Sequence, residues 1–462
     1  MSSPSARRSA TWRELALALL CALALFAWPL RAGLFHPDRV LFGVDTAVAQ
    51  LPWSAAPGGS DAVQFPELAD QGMVFYPAYR FVAREWGKGG PPLWNPLVYA
   101  GAPAIGNPQL GVLDPQVLLQ VVIGKWFGAA AFDASFGWLL WLRLALAALG
   151  AYALARRLGT GACGATLAAV GFSSAGFVAL WANHSLGHVA PFLPWVLFAI
   201  EGLRGARPAR AFVAAAVLFA LAIYGGHPET AFDLGLAAGL WSLGAWRSER
   251  RVAWLGLGAL AAGTLLAAPS LAPFLEYLAH SGALVARRAL PAAGEPDWLA
   301  LGACALAVGI VWRSRELAAE NPRRTFASIA LGLALAACAA LLFSHGDVTS
   351  ARLLLWPDAQ GHAALYRGDG QFLEHASAWL AAPVTVLAFA GALDASRWEG
   401  FTRRTTCAVL GGGALLLALR APGLSELHAH LPLVGLAATA RFALVSALCL
   451  SLLAGAALER AS

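Results

Sequence analysis

An all-α, polytopic transmembrane helix bundle of about twelve spans, with a large extracytoplasmic first loop containing interfacial helices, is the fold class this sequence predicts. Composition is the first reason. Hydrophobic residues are 59% of the 462, charged residues only 13%, and mean hydropathy is +0.63. So few charges cannot cover a water-facing surface of this size. The second reason is apolar runs of the length that a bilayer core needs, about 20 residues. The third is the placement of arginine, which returns in every second connection.

The spans are expected near 14–34, 134–155, 160–181, 189–203, 211–226, 229–246, 252–275, 297–312, 325–344, 376–394, 404–420 and 436–457. The run from Leu15 to Leu30 behind Arg7, Arg8 and Arg13 is expected to be an uncleaved first span. Arg156 and Arg157, then Arg204, Arg207 and Arg210, then Arg247, Arg250 and Arg251 mark one side. Arg313, Arg315, Arg323, Arg324, Arg397, Arg403 and Arg404 continue the alternation. That side is cytoplasmic by the positive-inside rule, which puts both termini there. The expected division is a 1–13 tail, a first helix at 14–34, an extracytoplasmic loop at 35–133, a multi-span domain at 134–458 and a 459–462 tail.

The net charge of +6 lies between apolar segments, so it is not a nucleic-acid signal. Cys21, Cys163, Cys304, Cys338, Cys407 and Cys449 all fall in apolar segments without a CxxC or Cys/His cluster. Buried small hydrophobes are the expected role, not disulfides or zinc ligands. No P-loop, dinucleotide fingerprint or Ser/His/Asp nucleophile pattern occurs, which argues against soluble-nucleotide chemistry.

The 35–133 loop is dense in turn formers, aromatics and acids. Phe75, Tyr79, Val82 and Trp86 recur at spacings of four, three and four, with Arg80, Arg84 and Lys88 opposite. That pattern predicts an amphipathic helix lying on the bilayer. Pro77 either kinks this helix or starts it afresh, and Gly89-Gly90-Pro91-Pro92 ends it. Asp70 and Asp45 are the candidate general bases, since carboxylates at a membrane–water cleft can take a proton from an acceptor. Their alternative is a helix cap or a solvated loop acid. Arg80 and Arg84 are candidate phosphate contacts.

His184 and His188 lie four apart, His227 and Glu229 sit at another turn, and all four are candidates to line an outer cleft. Arg441, at the start of the last span, is the best phosphate candidate, with snorkelling to the interface as its alternative. Arg352 and Arg367 are weaker ones. Arg143, Glu201 and Asp233 lie in or near apolar segments, with a structural partner as the default, and Glu276 lies at the outer end of the seventh expected span, where an interfacial position accounts for it. No metal site is expected. No Asp-x-Asp pair flanks either base, so a divalent cation is allowed but not strictly required, and no other cofactor is expected.

The run Asp70…Phe75-Tyr76-Pro77…Gly90-Pro91-Pro92-Leu93-Trp94-Asn95-Pro96…Gly101-Ala102-Pro103…Asn107-Pro108-Gln109 resembles the YfhO-like bacterial membrane proteins, of the GT-C type of integral-membrane glycosyltransferases. Asn183-His184 with His188, Gly226-His227-Pro228-Glu229, and Leu431-Pro432 with Arg441 are similar to further pieces of that family. The resemblance implies a multi-pass protein of the bacterial cytoplasmic membrane. It implies sugar transfer from a polyprenyl-phosphate donor to an envelope glycan, lipid or protein. It places the base at Asp70, with Asp45 second, and implies substrate contacts at Trp94, Asn95, Asn107 and Gln109. The partners are then the donor, the acceptor and the lipid bilayer, with no nucleic acid. The rival classes are a transporter or lipid flippase, and a non-catalytic partner in envelope polysaccharide assembly.

Overall fold

The computed structural model describes residues 11–36, 40–56, 63, 66–246, 248–282, 372–393, 401–421, 423–431 and 434–461. The described residues are mostly helical, and the one sheet among them is a two-residue antiparallel pair, β1 (Trp94–Asn95) with β2 (Ala102–Pro103). The first helices are α1 (Trp12–Ala27), α2 (Arg31–Leu34), α3 (Asp45–Val48), α4 (Tyr76–Gly87), α5 (Pro115–Phe127), α6 (Ala129–Arg157) and α7 (Ala162–Ser173). Then follow α8 (Gly176–Leu180), α9 (Ser185–Val189), α10 (Phe192–Gly202), α11 (Pro208–Tyr224), α12 (Pro228–Leu243), α13 (Arg250–Leu266) and α14 (Ala268–His280). The last are α15 (Phe372–Ala376), α16 (Ala382–Leu393), α17 (Phe401–Ala418), α18 (Leu424–His430) and α19 (Ala443–Ala461).

Proline starts many of these helices. It occupies the first turn of α5, α11 and α12, where its missing N–H has no helical partner to lose. Pro77 does not open a fresh helix: helical backbone runs from Ala69 to Gly87, and Pro77 lies just after a π-helical turn at Gln71–Phe75. Thr11 and Glu14 form a capping box at the start of α1.

Among the described residues, three helical stretches are long and apolar enough to cross a membrane: Pro108–Phe127, Ala129–Arg157 and Thr439–Glu459. A fourth is α13 with α14, bent by 72° at Ala267. The segments expected near 297–312 and 325–344 lie outside the described residues. The expected span near 160–181 is broken, because the chain turns at Ser174–Ala175 between α7 and α8.

Helix α6 is the axis of the first half. At 29 residues it is about 43 Å long, against about 30 Å of bilayer hydrocarbon. Helix α1 runs antiparallel to it, held by Glu14–Arg156 (3.4 Å) and by Trp141 Nε1 donating to the Leu23 carbonyl (2.7 Å). One end of the bundle therefore gathers Glu14, Arg156, Arg204, Glu249 and Glu459. The other end meets residues 40–113 and is termed the loop end.

Two sequence expectations change here. The aromatic face of α4 is not offered to a bilayer. Phe75, Tyr79 and Val82 are buried against Val112, Val117, Phe132 and Phe136, and Trp86 Nε1 donates to the Val112 carbonyl (3.1 Å). An aromatic stripe with a protein surface in reach gains more from close packing than from a fluid interface. Residues 35–133 are also not purely loop, since they hold the apolar helix α5, packed antiparallel on α6 through Gln120–Ser135 (3.2 Å). Cys407 and Cys449 are buried as expected, whereas Cys21 and Cys163 are exposed on their helices, and Cys304 and Cys338 lie outside the described residues.

Candidate functional site

The π turn at 71–75 is the keystone of the loop end. Its extra residue per turn points Gln71 inward. Gln71 is buried; its Oε1 accepts from Gly43 N–H (2.9 Å) and its amide nitrogen faces His184 Nδ1 at 3.5 Å. Since the carbonyl oxygen is the acceptor for Gly43, the NH₂ is the donor to His184. Gly72 is needed where it stands, because an added Cβ would lie 2.7 Å from the Gly43 carbonyl.

This contact brings the two candidate bases together. Asp45 follows Gly43 by two residues, and Asp70 precedes Gln71. One amide hydrogen bond thus clamps both acid-bearing segments, which are 28 positions apart at the bond itself. Asp70 is exposed and its carboxylate caps no helix N–H. Asp45 is half-buried, with Oδ1 accepting from Thr46 N–H (2.9 Å).

Beneath the clamp lies a buried polar network. His184 sits edge-on to both Phe75 (5.7 Å) and Trp181 (5.0 Å). Burial, then the neighbouring His188, hold its imidazole down at about 4. Asn183 donates to the Leu41 carbonyl (2.8 Å) and accepts from Arg143 Nη2 (3.4 Å). His188 Nδ1 is bonded to Asp114 Oδ2, and Asp114 Oδ1 caps α5 by accepting from Gln116 N–H (2.8 Å). Burial and the Arg143 guanidinium push His188 down, with Asp114 opposing them. Burial lifts the Tyr79 phenol well above its ordinary range, and the nearby Asp114 carboxylate adds to this.

The two histidines do not share a helix face. Helix α9 begins at Ser185, so His184 is its extended N-cap (φ −102°, ψ 167°) and only His188 is helical. Each has its own partner, Gln71 for one and Asp114 for the other. Among the described residues, no group of three or more His, Cys, Asp or Glu could hold a metal ion.

The second predicted group assembles next door. Arg441 Nη1 lies 2.7 Å from Glu229 Oε2 and 3.1 Å from His227 Nε2, and its Nη2 lies 3.7 Å from Glu374. Glu229 Oε1 also accepts from Ala438 N–H. His227 is the N-cap of α12, and its Nδ1 lies 2.9 Å from Thr230 Oγ1. The turn before it seats this group against the first: a Cβ on Gly226 (φ +85°) would lie 2.6 Å from the Pro108 carbonyl, and one on Gly225 3.1 Å from the His188 carbonyl. Glu67 ties the loop in from above, its two oxygens accepting from the N–H groups of Phe372 and Leu373, both at 2.6 Å.

The remaining candidates hold local structure. Asn95 is buried and accepts from Leu97 N–H (2.9 Å), and Asn107 accepts from Gln109 N–H (3.2 Å), both side-chain-capped turns. Trp94 is exposed and its indole covers Gly101 (φ +116°). Gln109 is half-buried beside Gly226. Arg80 pairs with Asp133 (3.4 Å), which also accepts from Tyr76 Oη (3.0 Å), and Arg84 pairs with its neighbour Glu85 (3.2 Å) at the surface. Sequence reasoning missed Gln71, Asp114 and Glu67. Asp114-Pro115 carried a helix-start signal, but nothing local pointed to His188.

The buried imidazoles make stability depend on pH. An unfolded histidine binds a proton near 6.5, whereas folded His184 does so only near 4. The unfolded state therefore binds more protons in that window, and stability is lost as pH falls through it. The expected loss from His184 is about 3 kcal/mol between pH 7 and pH 4. Thermal melts across that range check it, and His184→Gln should flatten the curve.

No protein-family model, curated protein or solved structure matches this chain.

Proposed function

We propose that this chain is a membrane-embedded glycosyltransferase of the GT-C type, moving a sugar from a polyprenyl-phosphate donor to an envelope acceptor. In this reading the loop end is extracytoplasmic, the arginine-marked end and both termini are cytoplasmic, and the bundle has about twelve spans in the bacterial cytoplasmic membrane. The observation that carries it is the Gly43–Gln71 clamp, which sets two acid-bearing segments over the buried His184–Asn183–Arg143 network at the loop end. A direct displacement needs a carboxylate open to the acceptor, and Asp70 is exposed on a segment hydrogen-bonded into this network. Asp70 takes the acceptor proton as the acceptor oxygen attacks the anomeric carbon, and the lipid phosphate leaves with the bonding pair. The step carries no strict metal requirement.

Asp70→Asn, assayed in membranes with a polyprenyl-phosphate sugar, is expected to lower transfer by about a hundredfold or more. Asp45→Asn is run beside it. Full activity in Asp70→Asn with loss in Asp45→Asn moves the base to Asp45, and full activity in both sinks the reading.

One observation favours a second reading, a transporter. The 72° break between α13 and α14 makes a discontinuous helix pair of the kind that transporters use at substrate sites. Donor-independent movement of a polyprenyl-phosphate across proteoliposomes, with no sugar transfer, would decide for it.

A further inference from the structure

We infer that Arg143, not Arg441, is the guanidinium that receives an oxyanion of the substrate at the loop end. This rests on the glycosyl-transfer reading, and the partner census of the two arginines separates them.

Arg441 is largely engaged, since only its Nε lacks a hydrogen-bond partner among the described residues. One guanidinium faces two carboxylates, Glu229 and Glu374, and also the His227 ring nitrogen. Asp233, fully buried, stands one helical turn beyond Glu229 on α12. A further anion would enter a group that already carries more acid than base, and like charges disfavour it.

Arg143 is in the opposite condition. It is 6% exposed, and among the described residues its one hydrogen bond is the long one from Nη2 to Asn183. Its Nε and Nη1 are buried without a partner among the described residues. Asp114 is the nearby acid, and both its oxygens are engaged, by Gln116 N–H and His188. A buried guanidinium with unmet donors is strongly disfavoured unless something supplies acceptors.

The neighbouring orphans have the same polarity. His184 Nδ1 accepts from the Gln71 amide, so its Nε2 carries the proton, and that N–H is buried without a partner. Ser185 Oγ, the next residue, is likewise unpartnered. Two nitrogens of Arg143, and one imidazole N–H and one hydroxyl on the His184–Ser185 step that follows its partner Asn183, thus lack acceptors among the described residues. A set of donors this dense fits a group with several acceptor lone pairs, the oxygens of a phosphate or of a carboxylate.

The test is binding by the full-length chain in lipid nanodiscs, read as a saturable rise in the thermal midpoint. The probes are inorganic phosphate, acetate and dodecyl phosphate. Arg143→Gln should weaken the preferred probe at least about tenfold, and Arg441→Gln should stay within about threefold of the parent. Preference for phosphate over acetate identifies a phosphate source, and dodecyl phosphate binding tighter than inorganic phosphate makes it lipid-borne. The reverse preference identifies a carboxylate-bearing glycan. Should Arg143→Gln fail to fold, Arg143→Lys and Ser185→Ala replace it, each expected to weaken binding about threefold or more.

The inference is overturned if no probe binds saturably, if Arg441→Gln abolishes binding while the Arg143 variants retain it, or if the Arg143 and Ser185 variants bind like the parent. Its failure is distinct from failure of the transfer reading. Arg143-dependent binding without any sugar transfer leaves the inference standing and removes the reading. An inactive Asp70→Asn beside normal binding by Arg143→Gln does the reverse.

Discussion

Alanine at Gly164 or at Gly455 is expected to separate α7 from α19 and lower stability by at least about 1–3 kcal/mol. A Cβ built on Gly164 lies 2.1 Å from the Gly455 carbonyl oxygen, and one on Gly455 lies 2.2 Å from the Gly164 carbonyl. Both obstacles are backbone, so no side chain can rotate away, and the helices must move apart. Helix α19 cannot move freely. On its other side Gly391 of α16 makes the same kind of approach, with a Cβ 2.2 Å from the Leu453 carbonyl. Small residues at such crossings let helices gain packing that lipid cannot replace. Unfolding in a denaturing detergent titration is the measurement. Gly412→Ala and Gly413→Ala are the controls, since a Cβ at either meets nothing within 4 Å. The two contact variants combined should cost little more than one alone, because the crossing is already open. A Gly164→Ala protein that unfolds like the parent refutes the packing argument.

The second large effect is expected from Glu201→Ala, at about 3–5 kcal/mol. Glu201 Oε1 accepts from Trp241 Nε1 (2.6 Å), and Oε2 accepts from Arg204 Nη1 (2.8 Å). Arg403 Nη2 stands 2.9 Å from Oε1 as an ion pair without hydrogen-bond alignment, stacked over the Trp241 ring at 5.3 Å. Removing the carboxylate leaves Arg403 and the indole N–H buried without their acceptor. Because a missing partner costs more than an absent pair, Glu201→Leu combined with Arg403→Leu should recover most of the loss. Glu85→Ala, which breaks only the exposed contacts to Arg84 and Lys88, should leave the melting point unchanged. If Glu201→Ala and Glu85→Ala melt alike, the cluster is not a stabilising centre.

Both effects belong to residues whose importance is invisible in one dimension. Gly164 and Gly455 are two of 48 glycines, and their apolar neighbours do not announce that two backbones meet there. Glu201 reads in sequence as an acid beside an apolar run, and its partner Arg403 only as one of the charges that orient the chain. The histidines show the same limit more finely. A spacing of four suggests a shared face, but the cap geometry at His184 breaks the helix one residue too early for it. Arg441, His227 and Glu229 were each picked out by type and by position at a helix end. That they meet, across 214 positions for the arginine and histidine, is a tertiary fact. The amphipathic stripe of α4 was legible as a stripe, but whether lipid or protein would cover it was not.

Local chemistry is what the sequence determined: an apolar helical chain, helix starts where proline opens the first turn, and a polar, acid-bearing segment before Gly128. Those features depend on hydropathy and on backbone restrictions within a few residues. Only the tertiary structure decided which polar groups share one buried site. The Gly43–Gln71 clamp, the Asp114–His188 pair and the neutralisation of Arg441 by Glu229 and Glu374 join residues far apart in the chain. Partner choice among buried polar groups is set by who is adjacent once water is gone, and adjacency comes from packing, not from local pattern.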